Sequence, residues 1–348
     1  MDVAEAQPAQ ASRGQRLRRW LGRGFAGLGA LLVLTLTGLW AAVGHTPLDP
    51  AYAGPEPLPG KLAERCSYPE HGTAVDVVAE FNHQEGEGFA SRWVQFEVTT
   101  RGFDPHLVQV IYYRSLTDGR LPAVVVTPIL GGDNEVAKLM AEALAANGVH
   151  AAIVLRAGTY LDPGRPDANV EAVLRTSIVD RRRAVDWLQQ QAEVDPERIG
   201  AFGVSMGGII TAAFVAVEPR VRSSVMVMAG GDLPNLVRSS EERSLRKFMS
   251  RRAEQGLDAD AVEASLRRAL DGLDPLALGR HVDARAVLLF TTRWDASVPA
   301  ANQERLYDAI GRPERYALPT GHYSAMVYLP YLRYKTVAFL RGALGGRS

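Results

Sequence analysis

The stretch Arg198-Ile199-Gly200-Ala201-Phe202-Gly203-Val204-Ser205-Met206-Gly207-Gly208-Ile209-Ile210-Thr211-Ala212-Ala213 decides the fold. An apolar run bounded by glycine meets Ser205, and an alanine-rich helical pattern follows at once, so it reads as strand, sharp turn, helix. A side chain on such a turn takes strained backbone angles that expose it, and residues without bulk at Gly203 and Gly207 let the neighbouring backbone pass closely. Gly-x-Ser-x-Gly in this setting is a nucleophile elbow. Because Ser205 stands just ahead of the helix, the Met206 amide is one of the N–H groups that a helix start leaves free, aimed where an oxyanion would form. A glycine-rich turn with an incidental serine gives the bare pattern often; the strand before and the helix after favour the elbow. A serine alone is a poor nucleophile, so a base and an acid are expected further on, in the order Ser, Asp or Glu, His.

On the N-terminal side of the elbow, Trp93 to Val98 alternates and Leu107 to Tyr113 follows a turn signal, which predicts an antiparallel pair at a sheet edge. Ala123 to Thr127 is a continuous apolar run typical of a strand buried on both faces. A helix capped by Asp133 or Asn134 and running through Ala146, then the strand Ala151 to Leu155, completes a parallel crossover unit. Val170 to Gln191 has helical spacing; its Arg181-Arg182-Arg183 run reads as a solvated face. Beyond the elbow, Val221 to Ala229 is another apolar run. Leu236 to Leu278 is charged and helical, an insertion that reads as a cap over about 233–279. Ala286 to Thr292 resumes the sheet, and a closing helix is expected from about Ala325 to Leu344.

The 348 residues carry 47% hydrophobic composition, enough for one large domain. The net charge is zero, which leaves no global field to recruit nucleic acid. Cys66 is the only cysteine, so an internal disulfide and a multi-cysteine metal site are excluded. Residues 1–24 form a basic segment with five arginines between Arg13 and Arg23, and Phe25 to Val43 runs 19 residues without a charge. Such a helix would be about 28 Å long, near the thickness of a bilayer core, with the arginines held cytoplasmic. The expectation is a single-pass signal anchor in a bacterial cytoplasmic membrane with the folded domain outside the cytoplasm. Cleavage as a signal peptide, at the small residues of Ala42-Val43-Gly44 or Ala51-Tyr52-Ala53, would instead leave a secreted or periplasmic protein. Residues 44–90 read as linker and N-terminal extension, and 91–348 as the main domain.

Taken together, Gly203-Val204-Ser205-Met206-Gly207, Asp295 with Val298-Pro299, and Gly321-His322 make the chain resemble an α/β-hydrolase over about residues 92–348, nearest the dienelactone hydrolase, acetyl xylan esterase and prolyl oligopeptidase-like branch. The resemblance implies a mostly parallel sheet with helices on both faces, Ser205 as nucleophile, Asp295 as acid and His322 as base. The residues support those roles independently. Asp295 sits at the carboxyl end of an apolar strand in a loop stiffened by Pro299, where open α/β sheets place catalytic side chains; Asp232, at the end of the preceding strand, is the substitute. His322 follows a glycine in a loop after the last strand. A second oxyanion N–H is expected from the loop Pro128 to Gly131, with Leu130 chosen by position and Ile129 or Gly131 open. The expected activity is hydrolysis of a small-molecule carboxylic ester through an acyl-enzyme, with no metal or organic cofactor. A serine peptidase or acyltransferase on the same fold, and a membrane-tethered binding module, are the alternatives.

Overall fold

The computed structural model describes residues 37–98, 105–130, 134–156, 158, 161, 162, 164, 165 and 167–345. The chain divides into two compact units, residues 1–43 and 44–348. Within the first unit, residues 37–41 are helical. The basic segment 1–24 and most of the apolar run 25–43 lie outside the described residues. Among the described residues, no helix is long and apolar enough to cross a membrane.

Among the described residues, the second unit is built on ten strands. They are β1 (Gly44–Thr46), β2 (Val77–Gly86), β3 (Phe89–Val98), β4 (His106–Ser115), β5 (Leu121–Thr127), β6 (His150–Val154), β7 (Val194–Val204), β8 (Val221–Val227), β9 (Val287–Thr292) and β10 (Glu314–Leu318). Their spatial order is β1-β10-β9-β8-β7-β5-β6-β4-β3-β2. The six strands from β6 to β10 by way of β5, β7, β8 and β9 run parallel, and β1 at one end and β4, β3 and β2 at the other are antiparallel. The apolar runs of β5, β6 and β9 are buried nearly throughout, as strands covered on both faces must be.

The helices α1 (Gly60–Arg65), α2 (Glu135–Ala145), α3 (Ala168–Gln189), α4 (Met206–Val217), α9 (Ala300–Ile310) and α10 (Leu329–Leu344) surround this sheet. α2 packs with α10, while α3 packs with α4. Between β8 and β9 the insertion forms four helices, α5 (Leu233–Ser239), α6 (Arg243–Glu254), α7 (Ala259–Ala269) and α8 (Pro275–Gly279). From β5 the chain runs through α2 to β6 on one side, then crosses by α3 to β7 on the other. The carboxyl ends of β5 and β7 therefore flank a point where strand order reverses, the place where open α/β sheets bind ligands.

Three features depart from the sequence expectations. Residues 44–46, read as part of a linker, pair antiparallel with β10. β2 extends the opposite edge; eight of its ten residues are exposed, so no apolar alternation marks it. The arginine run is the third: Arg181, Arg182 and Arg183 are only 1%, 7% and 5% exposed. α3 is covered on its outer side by the segment around Cys66 to Val75. Arg182 donates to the Cys66 carbonyl and to Glu218, Arg183 donates to the Glu70 carbonyl and to Asp186, and Tyr68 donates its hydroxyl to Asp186. Arg181 turns the other way, donating to the Thr127 hydroxyl at 2.9 Å and to the Val154 carbonyl beneath the ends of β5 and β6.

Candidate active site

At the end of β7 the backbone of Ser205 takes φ 56° and ψ −124°, and α4 starts at the next residue. A non-glycine residue with positive φ there costs about 1–3 kcal/mol and persists only where the surroundings impose it. They do so through two glycines. A Cβ on Gly203 would lie 2.2 Å from the Gly207 carbonyl oxygen, and one on Gly207 would lie 2.2 Å from the Thr127 carbonyl oxygen. Neither contact is tolerable, so β5, β7 and α4 can meet this closely only with glycine at both positions. Ser205 donates its own N–H to the Val227 carbonyl and accepts from Ile209 N–H. The first amides of α4, that of Met206 foremost, have no acceptor within the helix.

The loop after β9 carries Asp295, whose side chain is fully buried. Its Oδ1 accepts from the N–H groups of Ser297 and Val298, both at 2.9 Å. Its Oδ2 accepts from the Thr292 hydroxyl at 2.9 Å, from Gln303 Nε2 at 3.0 Å and from His322 Nδ1 at 2.8 Å. Five donors replace the water this carboxylate has lost, which a buried charge requires. The bond to Nδ1 also fixes the ring: with its proton on Nδ1, the imidazole presents Nε2 as an acceptor. Sequence reasoning did not single out Gln303, the residue that ties this loop down. Buried at the start of α9, it donates to Asp295, to the Thr292 hydroxyl and to the Val298 carbonyl, and its Oε1 accepts from Thr292 N–H.

Ser205 and His322 line one cavity of about 300 Å³, together with Met206, Ile129 and Leu130. No hydrogen bond joins the Ser205 hydroxyl to the His322 ring; in unliganded sites such bonds are commonly long and tighten only with substrate. Both Ile129 and Leu130 reach the wall, and the Leu130 carbonyl is held by Arg156 at 2.7 Å; Gly131 lies outside the described residues. Asp232, the substitute acid, stands apart. Its carboxylate pairs with Arg305 at 2.6 Å and Arg267 at 3.1 Å, so it ties the insertion to α9 and the His322 ring is served by Asp295 alone. Above the cavity, the Ser240 hydroxyl donates to the Ser297 carbonyl and Glu241 N–H to that of Ala296, while the Tyr323 hydroxyl donates to Glu242. The insertion is thereby stitched to the loops that carry the acid and the imidazole. Among the described residues, no group of three or more His, Cys, Asp or Glu is arranged to hold a metal ion.

A sequence profile of the prolyl oligopeptidase family matches residues 174–319, from within α3 to the end of β10. An uncharacterized protein of Mycobacterium tuberculosis (strain ATCC 25618 / H37Rv) is 30% identical over 214 residues, which are 60% of this chain and 65% of that protein. The match thus spans a little less than two thirds of that relative's length. A probable 2-oxo-3-(5-oxofuran-2-ylidene)propanoate lactonase of Bradyrhizobium sp is 32% identical over 118 residues, 32% of this chain and 47% of its own. Among solved structures, an acetyl xylan esterase from Paenibacillus sp. R4 superposes with a TM-score of 0.59 at 16% identity, over 81% of this chain and 91% of the other, a likeness of fold.

Proposed function

We propose that this chain, which matches the prolyl oligopeptidase family over residues 174–319 and shares the fold of an acetyl xylan esterase, is a serine hydrolase of carboxylic esters. Ser205 Oγ attacks the ester carbonyl while His322 Nε2 takes the hydroxyl proton, and Asp295 orients the ring and stabilises its cationic form. The oxyanion is met by the Met206 N–H and by a second N–H from Ile129 to Gly131, with Leu130 preferred. When the intermediate collapses, the alkoxide leaves with the proton from His322. Water then enters, gives a proton to His322 and bonds to the acyl carbon; when this second intermediate collapses, the Ser205 Oγ–acyl bond breaks, Oγ takes the proton back from His322 and the acid leaves. The observation that carries this reading is the 2.8 Å bond between His322 and a buried, five-fold hydrogen-bonded Asp295, set on the cavity that Ser205 also lines.

An ester is favoured over a peptide because an alkoxide leaves more readily than an amine, and because Glu242 is the one charged side chain among the described lining residues. The carboxyl terminus of a peptide would find no cation among the described lining residues to anchor it. Ser205→Ala should lower kcat for p-nitrophenyl butyrate by a factor on the order of 10³ to 10⁶; unchanged turnover by the folded variant would remove Ser205 from the mechanism. The five arginines ahead of the apolar run 25–43 support, within the same proposal, attachment to or export across a bacterial cytoplasmic membrane. Full-length protein that stays with membranes through alkaline carbonate extraction agrees with attachment, and release into the wash contradicts it.

A further inference from the structure

The wall of the cavity says more than that an ester binds. Of its 28 described lining residues, 23 are aliphatic, methionine or phenylalanine, and the others are Ser205, Glu242, Ser297, His322 and Tyr323. Of these, Ser205 and His322 belong to the reaction, and Glu242 is already engaged by the Tyr323 hydroxyl. No cationic side chain among the described residues reaches the wall.

The apolar lining falls into two sets. Val136 and Met140 of α2, Phe202 and Val204 of β7, and Leu329 and Leu332 of α10 form one. The other comprises Val170 of α3, Ile209 of α4, and Leu233, Leu245, Leu266 and Leu270 of the insertion, all part of one core cluster. α2 and α10 pack together, as do α3 and α4, so the sets belong to different helical layers. Ser205, at the sheet end between those layers, lines the same cavity. A carbonyl seated at Ser205 therefore has hydrocarbon walls on both sides.

Resting on the assignment of Ser205 as an ester-cleaving nucleophile, we infer that the substrate is an uncharged ester with a hydrocarbon chain on each side of its carbonyl. Water adds across the ester bond, the acid keeps one chain and the alcohol the other. Polar sugars and charged acyl groups gain nothing from such walls and lose their hydration.

Two ester series on the full-length chain test this. In the first, p-nitrophenyl esters carry acyl groups of two, four and eight carbons; in the second, octanoates carry methyl, butyl and octyl alcohols, followed by pH-stat. Each methylene moved from water to an apolar wall raises kcat/KM by up to about fourfold. The expected rise is on the order of 10² from acetyl to octanoyl, and at least tenfold from methyl to butyl. A flat or falling profile in either series overturns the inference while leaving the hydrolase intact. Failure of folded protein to cleave any ester would instead remove the assignment of Ser205 on which the inference rests.

Discussion

At the scale of single residues, the elbow was legible because its requirement is steric. Only glycine fits where a Cβ would meet a backbone oxygen at 2.2 Å, and Gly203 and Gly207 are fixed positions relative to Ser205. Asp295 and His322 were legible by position, each in a loop after an apolar strand in the order the chemistry needs. Gln303 was not. It stands eight residues beyond Asp295 on a helix face that sequence alone reads as an ordinary polar position, and its value comes from the turn that brings the start of α9 back over the loop. We expect Gln303→Leu to lower kcat for a p-nitrophenyl ester about tenfold with little change in KM, because a loosened Asp295 orients His322 less well. Gln303→Glu should lower it further, since a second carboxylate would face the first. Equal kcat in wild type and Gln303→Leu would show that the loop holds its shape without this residue.

At the scale of elements, strands and helices with strong periodicity came through, including the crossover unit, the helical insertion and the closing helix, which starts with a 3₁₀ turn over Tyr323–Tyr328 before α10. What failed were elements whose environment is supplied by distant chain. β1 has three residues and β2 is mostly exposed; each is held by its ladder to a neighbour rather than by a buried face. The arginines of α3 looked solvated because charge predicts water, yet residues around Cys66 to Val75 cover them. There Glu218, fully buried, accepts from Arg182 and Arg220, and Arg220 also pairs with Asp186 at 2.6 Å. Burial alone would raise the Glu218 carboxyl, but hydrogen bonds and charge from Arg220, with the charge of Arg182, outweigh it and hold the group below its ordinary 4.5. A carboxyl lowered in the folded state stabilises above its unfolded value and ceases to do so as pH falls through the folded one. Glu218→Gln should therefore cost about 3 kcal/mol at pH 7, by urea unfolding, with the gap from wild type narrowing as pH falls below the ordinary 4.5 and through the lower folded value. A gap that is constant across that range would mean that the pair contributes no charge-dependent stability.

At the scale of the whole molecule, the second unit converts sequence separation into proximity. Ser205, Asp295 and His322 are spread over 118 positions, yet they lie at the carboxyl ends of β7, β9 and β10, on one rim of one sheet. The switch in strand order at β5 and β7 opens the crevice, the elbow fills its floor, and the insertion closes it with leucines. The fold class and the rim were legible in the sequence because they follow from strand order and glycine placement. The breadth of the apolar cavity was not, since among the described residues its wall is assembled from seven α-helices whose facing sides no local pattern reveals. Whether these three side chains act on one another can be read by active-site labelling. Treated with a fluorophosphonate and analysed by peptide mass spectrometry, the folded protein should carry one stoichiometric adduct, on the peptide containing Ser205, and His322→Ala should slow its formation at least a hundredfold. Folded protein that stays unlabelled, or labels at Ser205 equally fast without His322, would contradict the account.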